Sequence, residues 1–266
     1  MNNHRKRHWA HRFRIHGETG PAGETEMKNR MINRPLIIAH RGYRAKYPEN
    51  TLAAFEAAIH AGAHMIELDV TFTRDREVVV IHDDTLDRTT NGRGAVGDFP
   101  LEEIRRLDAG AWFHPRFTGE KIPLLEEVLD LAAGRLMVNI EIKANAWDET
   151  CPPDAIENQV LETVFRKNAS ETALISSFEH KFLDAIATNE KRPEIGVLTE
   201  DPGDPKVLER CICVGAFSIH PDYRKINDKL VKNMKAAGLR VFPYTVNAAG
   251  KIRQLLHMGV DGIITD

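Results

Sequence analysis

Cysteine is scarce: Cys151, Cys211 and Cys213 are the three in 266 residues. Three thiols make no disulfide framework. Cys211 and Cys213 lack the partner thiols or nearby histidines of a zinc site, so a disulfide-stapled secreted class is excluded and a reducing cytoplasm is expected. Long apolar runs are missing too. No stretch nears the roughly 20 residues of a membrane-spanning helix, and the basic N-terminus is not followed by the apolar segment of a secretory signal. Nor does a glycine-rich phosphate loop follow the first apolar run, which counts against a doubly wound nucleotide-binding sheet.

What is present suits one large domain or two small ones. The chain is 42% apolar and 28% charged, enough for a sizeable core. The net charge of −3 is unevenly spread, because residues 1–34 hold eight Lys or Arg against three Asp or Glu, together with His4, His8, His11 and His16. Basic tails can meet nucleic acid or anionic membranes. This one has no apolar periodicity and carries Gly and Pro at its middle, so it reads as a disordered leader, or as sequence upstream of a later start at Met27 or Met31. No nucleic-acid partner is expected.

From Pro35 onward, short β-like runs alternate with amphipathic helical windows. Strands are expected at Leu36–Ala39, Met65–Thr71, Val78–Ile81, Met137–Lys143, Ala173–Ser177, Ile195–Leu198, Ala216–His220, Arg240–Val246 and Gly262–Thr265. Helices are expected between them; Leu52, Phe55 and Ile59 keep helical spacing behind a cap at Asn50 or Thr51. With Val78–Ile81 taken as an extension paired with the second strand, eight βα units remain. That is the size and rhythm of an α/β TIM barrel, (β/α)8. Residues 84–122 break the alternation and read as a small inserted lobe over the site.

The chemistry gathers at the ends of apolar runs, where barrel strands open into an active site. Glu67 and Asp69 are two apart in a strand and share a face, as do Glu141 and Lys143. Their neighbours Ile66, Leu68, Val70, Ile140 and Ile142 are apolar, so the carboxylates need a partner. Three converging carboxylates suit one hard divalent cation, Mg²⁺, Ca²⁺ or Mn²⁺, better than zinc. His40 and His82 fit an acid–base pair, since phosphodiester cleavage takes one proton from the nucleophile and returns one to the leaving oxygen. Arg41 offers a planar fork to phosphate or pairs with Glu49; Lys143 offers a point charge. Asn50 orders the first loop or touches substrate.

The runs H-R-G-(x)5-P-E-N-T, E-L-D-V, H-D-D-T-L-D-R-T-T-N-G, L-D-A-G-A-W-F, N-I-E-I-K, F-S-I-H, Y-T-V-N and G-V-D-G-I-I-T-D occur in order. Together they resemble the glycerophosphodiester phosphodiesterase family, and most closely its bacterial cytosolic branch, over residues 35–266. The resemblance implies a TIM barrel in which Glu67, Asp69 and Glu141 hold the cation and His40 and His82 are acid and base. Arg41 and Lys143 would bind phosphate, with Glu49 a further acid near the metal. Phe178 and Tyr244 would line the glycerol end of a small glycerophosphodiester, releasing an alcohol and sn-glycerol 3-phosphate. Hydrolysis of lysolipids is the alternative, for which Trp112, Phe113 and Phe117 would supply an apolar groove; a non-catalytic phosphate-binding barrel is a more distant one. The oligomeric state stays open. Two departures stand out. Arg76 replaces a turn glycine common in relatives, and Pro243 removes a ladder donor, which implies a bulge near Tyr244.

Overall fold

The computed structural model describes residues 35–150 and 152–266. The leader expected at 1–34, and Cys151, lie outside the described residues. Among the described residues, nine strands run β1 Leu36–His40, β2 Met65–Phe72, β3 Val78–Val80, β4 Met137–Ile142, β5 Ala173–Ser177, β6 Glu194–Thr199, β7 Ser218–Pro221, β8 Arg240–Val241 and β9 Gly262–Thr265. All but β3 are parallel, in the order β8-β7-β6-β5-β4-β2-β1-β9, while β3 pairs antiparallel with the end of β2. Three backbone bonds bridge the last seam: Asp261 N to Val241 O (3.0 Å), Ile264 N to Pro243 O (3.0 Å) and Val246 N to Ile264 O (2.9 Å). Eight parallel strands therefore ring a barrel, with helices outside.

Strand alternation sorts the side chains. Ile66, Leu68 and Val70 of β2, with Val138, Ile140 and Ile142 of β4, belong to the main core under the helices. The opposite face starts at a dry floor of Leu36, Ile38, Met65, Met137, Phe242 and Ile264 inside the barrel. Each such aliphatic side chain contributes about 1.5–3 kcal/mol on burial. Polar residues appear on the inner face only above that floor. Helix Leu125–Ala132 shows the matching outer pattern, burying Leu125, Val128, Leu129 and Ala132 at helical spacing.

Most expected strand boundaries shift by one or two residues; two of the differences bear on the site. The strand expected over Arg240–Val246 stops at Val241, because Pro243 lacks an N–H; Tyr244 resumes as an isolated bridge to Asp222. The third strand ends at Val80, and Ile81 N instead donates to Asp69 O at 3.0 Å. That bond delivers His82 beside the acidic strand. Beyond it, a short helix at Leu101–Ile104, without enough periodicity to be read from sequence, helps build a second core of Val79, Ile81, Leu86, Val96, Ile104, Ala109 and Ile122.

Candidate active site

Glu67 and Asp69 reach inward from β2, and Glu141 does so from β4, where Asp69 and Glu141 are register partners. One oxygen from each lies within 4.8 Å of the others, and all three residues are buried, at 3%, 1% and 9% exposure. Burial and mutual repulsion push Glu67 well above the usual carboxylate range and Glu141 up to about 7. Burial acts the same way on Asp69, but Lys143, Arg41 and Asn50 outweigh it and hold Asp69 below its ordinary value. Lys143 Nζ is 2.9 Å from Glu141 Oε1 and 3.4 Å from Asp69 Oδ1, and Arg41 Nε is 3.4 Å from Asp69 Oδ2. Three crowded carboxyl groups face two cations, and burial with mutual repulsion opposes ionisation of Glu67 and Glu141. A divalent cation fits this hard-oxygen donor set and relieves the repulsion.

The loop after β1 is shaped to serve the cluster. Arg41 and Asn50 are left-handed, with φ of 54° and 55°, a conformation costing a non-glycine residue about 1–2 kcal/mol. Hydrogen bonds hold it: Arg41 N donates to Glu67 Oε2 (2.9 Å), and Asn50 N donates to Arg41 O (3.0 Å). Between them, a Cβ on Gly42 would lie 2.7 Å from the Ala54 carbonyl carbon, so only glycine fits. Asn50 Nδ2 donates to Asp69 Oδ2 at 2.8 Å, so it orients an acid of the cluster. Arg41 does pair with Glu49, at 2.8 Å. Burial works against ionised Glu49, but paired bonds from Arg88 and the Arg41 contact bring it down to about 2.

Both histidines are steered by a carboxylate. His40 Nδ1 lies 2.8 Å from Asp266 Oδ1, and His82 Nδ1 lies 2.7 Å from Asp83 Oδ1. Asp266 is held by Asn247 Nδ2 on Oδ2 (2.7 Å), and Asp83 by Arg88 Nε (2.6 Å). Burial lowers both imidazoles below their ordinary range, against the raising effect of these carboxylates and of Asp69. Burial thus disfavours the charged form of both rings, and an Nδ1–H donated to the carboxylate would leave Nε2 as the accepting atom. Asp266, Asp83, Arg88 and Asn247 were not singled out from sequence. Asp83 and Arg88 stand within one quoted run and Asp266 closes another, which is the signal that marks them.

Phe178, 40% exposed, and Tyr244 meet edge-on at 5.8 Å and 90° across the barrel mouth. The Tyr244 hydroxyl donates to Thr199 O at 3.2 Å. Trp112, Phe113 and Phe117 form a chain of ring contacts that continues to Tyr47, so these rings pack chiefly on one another.

A (β/α)8 barrel whose mouth joins buried carboxylates, cationic side chains and carboxylate-held histidines is a phosphoric diester hydrolase in class. The model of the glycerophosphoryl diester phosphodiesterase family matches residues 40–266. The chain belongs to that family. It is 43% identical over 232 residues to the glycerophosphodiester phosphodiesterase of Caldanaerobacter subterraneus subsp. tengcongensis, covering 87% of this chain and 93% of the relative. It is 39% identical over 235 residues to that of Bacillus altitudinis, covering 86% and 94%. Among solved structures, the Oleispira antarctica phosphodiesterase in complex with the product sn-glycerol-3-phosphate superposes with a TM-score of 0.80 at 29% identity, over 87% of this chain and 93% of that one. The Agrobacterium tumefaciens glycerophosphodiester phosphodiesterase gives a TM-score of 0.75 at 30% identity, over 87% and 96%. Among the described residues, no helix is long and apolar enough to cross a membrane.

Proposed function

We propose that the protein hydrolyses small glycerophosphodiesters to an alcohol and sn-glycerol 3-phosphate by histidine acid–base catalysis at this mouth. The observation that carries the reading is the convergence of Glu67, Asp69 and Glu141 between two histidines whose Nδ1 atoms are both held by carboxylates. One Mg²⁺, Ca²⁺ or Mn²⁺ ion held by the three acids would neutralise phosphate charge and favour attack. Arg41 and Lys143 hold fixed positive charge beside the acids, where phosphate oxygens gain charge as the ester cleaves. One of His40 and His82 takes a proton from the nucleophile at Nε2, and the other returns one to the departing alcohol. The nucleophile is water, or the glycerol 2-hydroxyl by way of a cyclic phosphate. Phe178 and Tyr244 offer apolar faces to the glycerol carbons. The lobe at 84–122 caps the mouth and contributes Arg88 to Glu49 and Asp83. The free thiols Cys211 and Cys213 favour a reducing cytoplasm.

The experiment is release of glycerol 3-phosphate from glycerophosphocholine and glycerophosphoethanolamine in EDTA, then with each cation restored. Release that returns with metal is expected. Release that persists in EDTA rejects the cation's role, and lysolipid cleavage without glycerophosphodiester cleavage transfers the assignment to the lipid reading. His40→Ala and His82→Ala should each lower turnover by about 10²-fold or more. A folded variant that keeps the wild-type rate removes that histidine from the chemistry.

A further inference from the structure

Arg88, in the segment after β3, reaches two carboxylates that each hold a functional side chain. Along one edge of its guanidinium, Nε donates to Asp83 Oδ2 (2.6 Å) and Nη2 to Asp83 Oδ1 (2.9 Å). Along the other edge, Nη1 donates to Glu49 Oε2 (3.0 Å) and Nη2 to Glu49 Oε1 (2.8 Å). Asp83 Oδ1 is the atom that meets His82 Nδ1, and Glu49 Oε1 is the atom that accepts from Arg41 Nη1. One continuous chain of contacts therefore runs from His82 through Asp83, Arg88 and Glu49 to Arg41, beside the acidic cluster.

The backbone holds Arg88 from both sides. Leu86, 1% exposed, packs in the same core as Val79 and Ile81, which lead into His82. Leu86 N donates to Gly94 O (2.9 Å), and Thr90 Oγ1 donates to Leu86 O (2.7 Å). His82 and Arg88 are thus set off one packed core, which fixes their spacing. The hydrogen bonds from Arg88 hold the Asp83 carboxyl well below the ordinary carboxylate range, so the group facing His82 is an anion. Stability does not account for the arrangement. The Arg88 side chain is 43% exposed, and ion pairs open to water add little. Buried Glu49 has Arg41 at 2.8 Å in any case. What a planar fork of fixed donors supplies is direction.

We infer that Arg88 is a positioning residue, aiming the Asp83 carboxylate at His82 Nδ1 and the Glu49 carboxylate at Arg41, so that one guanidinium sets an acid–base ring and a phosphate-binding cation in a common geometry; the inference rests on the hydrolytic reading above. Two readouts test it. In the first, Arg88→Ala should lose about 10–100-fold in kcat on glycerophosphocholine, while Tm moves by about 4 °C or less. Arg88→Lys should recover little of the rate, because one ammonium cannot span two carboxylates. Millimolar guanidinium chloride should restore part of the Arg88→Ala rate, and equal sodium chloride should not. The second readout needs no turnover. The ring nitrogens of ¹⁵N-histidine protein, with His82 assigned through His82→Asn, report which nitrogen holds the proton at a pH where the ring is neutral. His82 should be chiefly the Nδ1–H form in the wild type and a mixture in Arg88→Ala. His40, whose partner is Asp266, should stay unchanged. A folded Arg88→Ala with wild-type kcat, or with the His82 nitrogens unmoved, overturns the inference. Equal changes at both rings together with a large loss of Tm mark a fold-wide role and also overturn it. A wild type that cleaves no diester with any divalent cation overturns the hydrolytic reading, while the His82 signal still decides whether Arg88 sets that ring. If Arg88→Ala does not fold, Arg88→Gln carries the same comparisons.

Discussion

At the scale of single residues, the carboxylates behind the histidines carry the sharpest expectations. Asp266→Asn keeps the size of the side chain but exchanges an anion for an amide, so the His40 tautomer is no longer fixed and an imidazolium loses its counter-charge. Turnover should fall by about 10²-fold or more with little change in KM. Because Asp266 raises the His40 pKa against burial, the acid limb of the pH–rate profile should also move lower. A merely structural role would leave that limb in place. Glu141 gives an expectation of opposite sign. Burial and Asp69 push it up to about 7, so without a cation its ionised form destabilises the fold and the penalty grows as pH rises through that value. In EDTA, Glu141→Gln should melt no earlier than the wild type. Added Mn²⁺, Mg²⁺ or Ca²⁺ should raise the wild-type Tm and leave that of the variant nearly unmoved. Glu67 could be paired with Asp69, and Glu141 with Lys143, from sequence because i, i+2 spacing in a strand is a local rule, whereas the convergence of the two pairs followed only from the barrel reading and the family resemblance. Asp266 could not be matched to His40, since that contact spans 226 positions, nor Arg88 to Glu49, across 39. Only the closed ring creates those proximities.

At the scale of elements, the strands were legible where apolar runs were long and blurred where a single residue intervened. β2 and β4 read cleanly because their outer faces are unbroken Ile, Leu and Val. β8 was read too long because propensity extends through Phe242 and Tyr244, whereas Pro243 removes one hydrogen-bond donor. The helix Leu101–Ile104 could not be read from sequence, since it is one turn long and held by tertiary packing rather than by pattern. The turn at Arg76 supplies an expectation at this scale. Arg76→Gly relieves the strained φ but breaks the link to Asp148 and Asp154. Global stability should shift by no more than about 1 kcal/mol, the backbone gain offsetting partly exposed ion pairs. Hydrogen exchange in residues 146–150 should nevertheless quicken. Unchanged exchange there would show that Arg76 does not brace the segment.

At the scale of the whole molecule, the barrel interior sets the response to acid. His220 is fully buried above the apolar floor, its Nε2 2.9 Å from Ser218 Oγ, and Gly196 leaves the space its ring fills. Burial brings its pKa down to about 3. Between that value and about 6.5, the unfolded chain binds a proton that the folded chain refuses, so stability declines as pH falls through this window. From pH 7 to pH 5 this residue alone should cost about 2 kcal/mol. Urea titrations of His220→Asn at the two pH values should show a correspondingly smaller drop.

The seam between β8 and β9 has a further consequence. Three backbone bonds close the ring there, and the strand they tether leads directly to Asp266, the partner of His40. Sparse hydrogen bonding makes such a junction the natural place for local opening below the global transition. Opening would unlatch His40 while most of the secondary structure persists. Heat should therefore silence the enzyme before it melts, with the amides of Val246 and Ile264 exchanging ahead of those in β2 and β4.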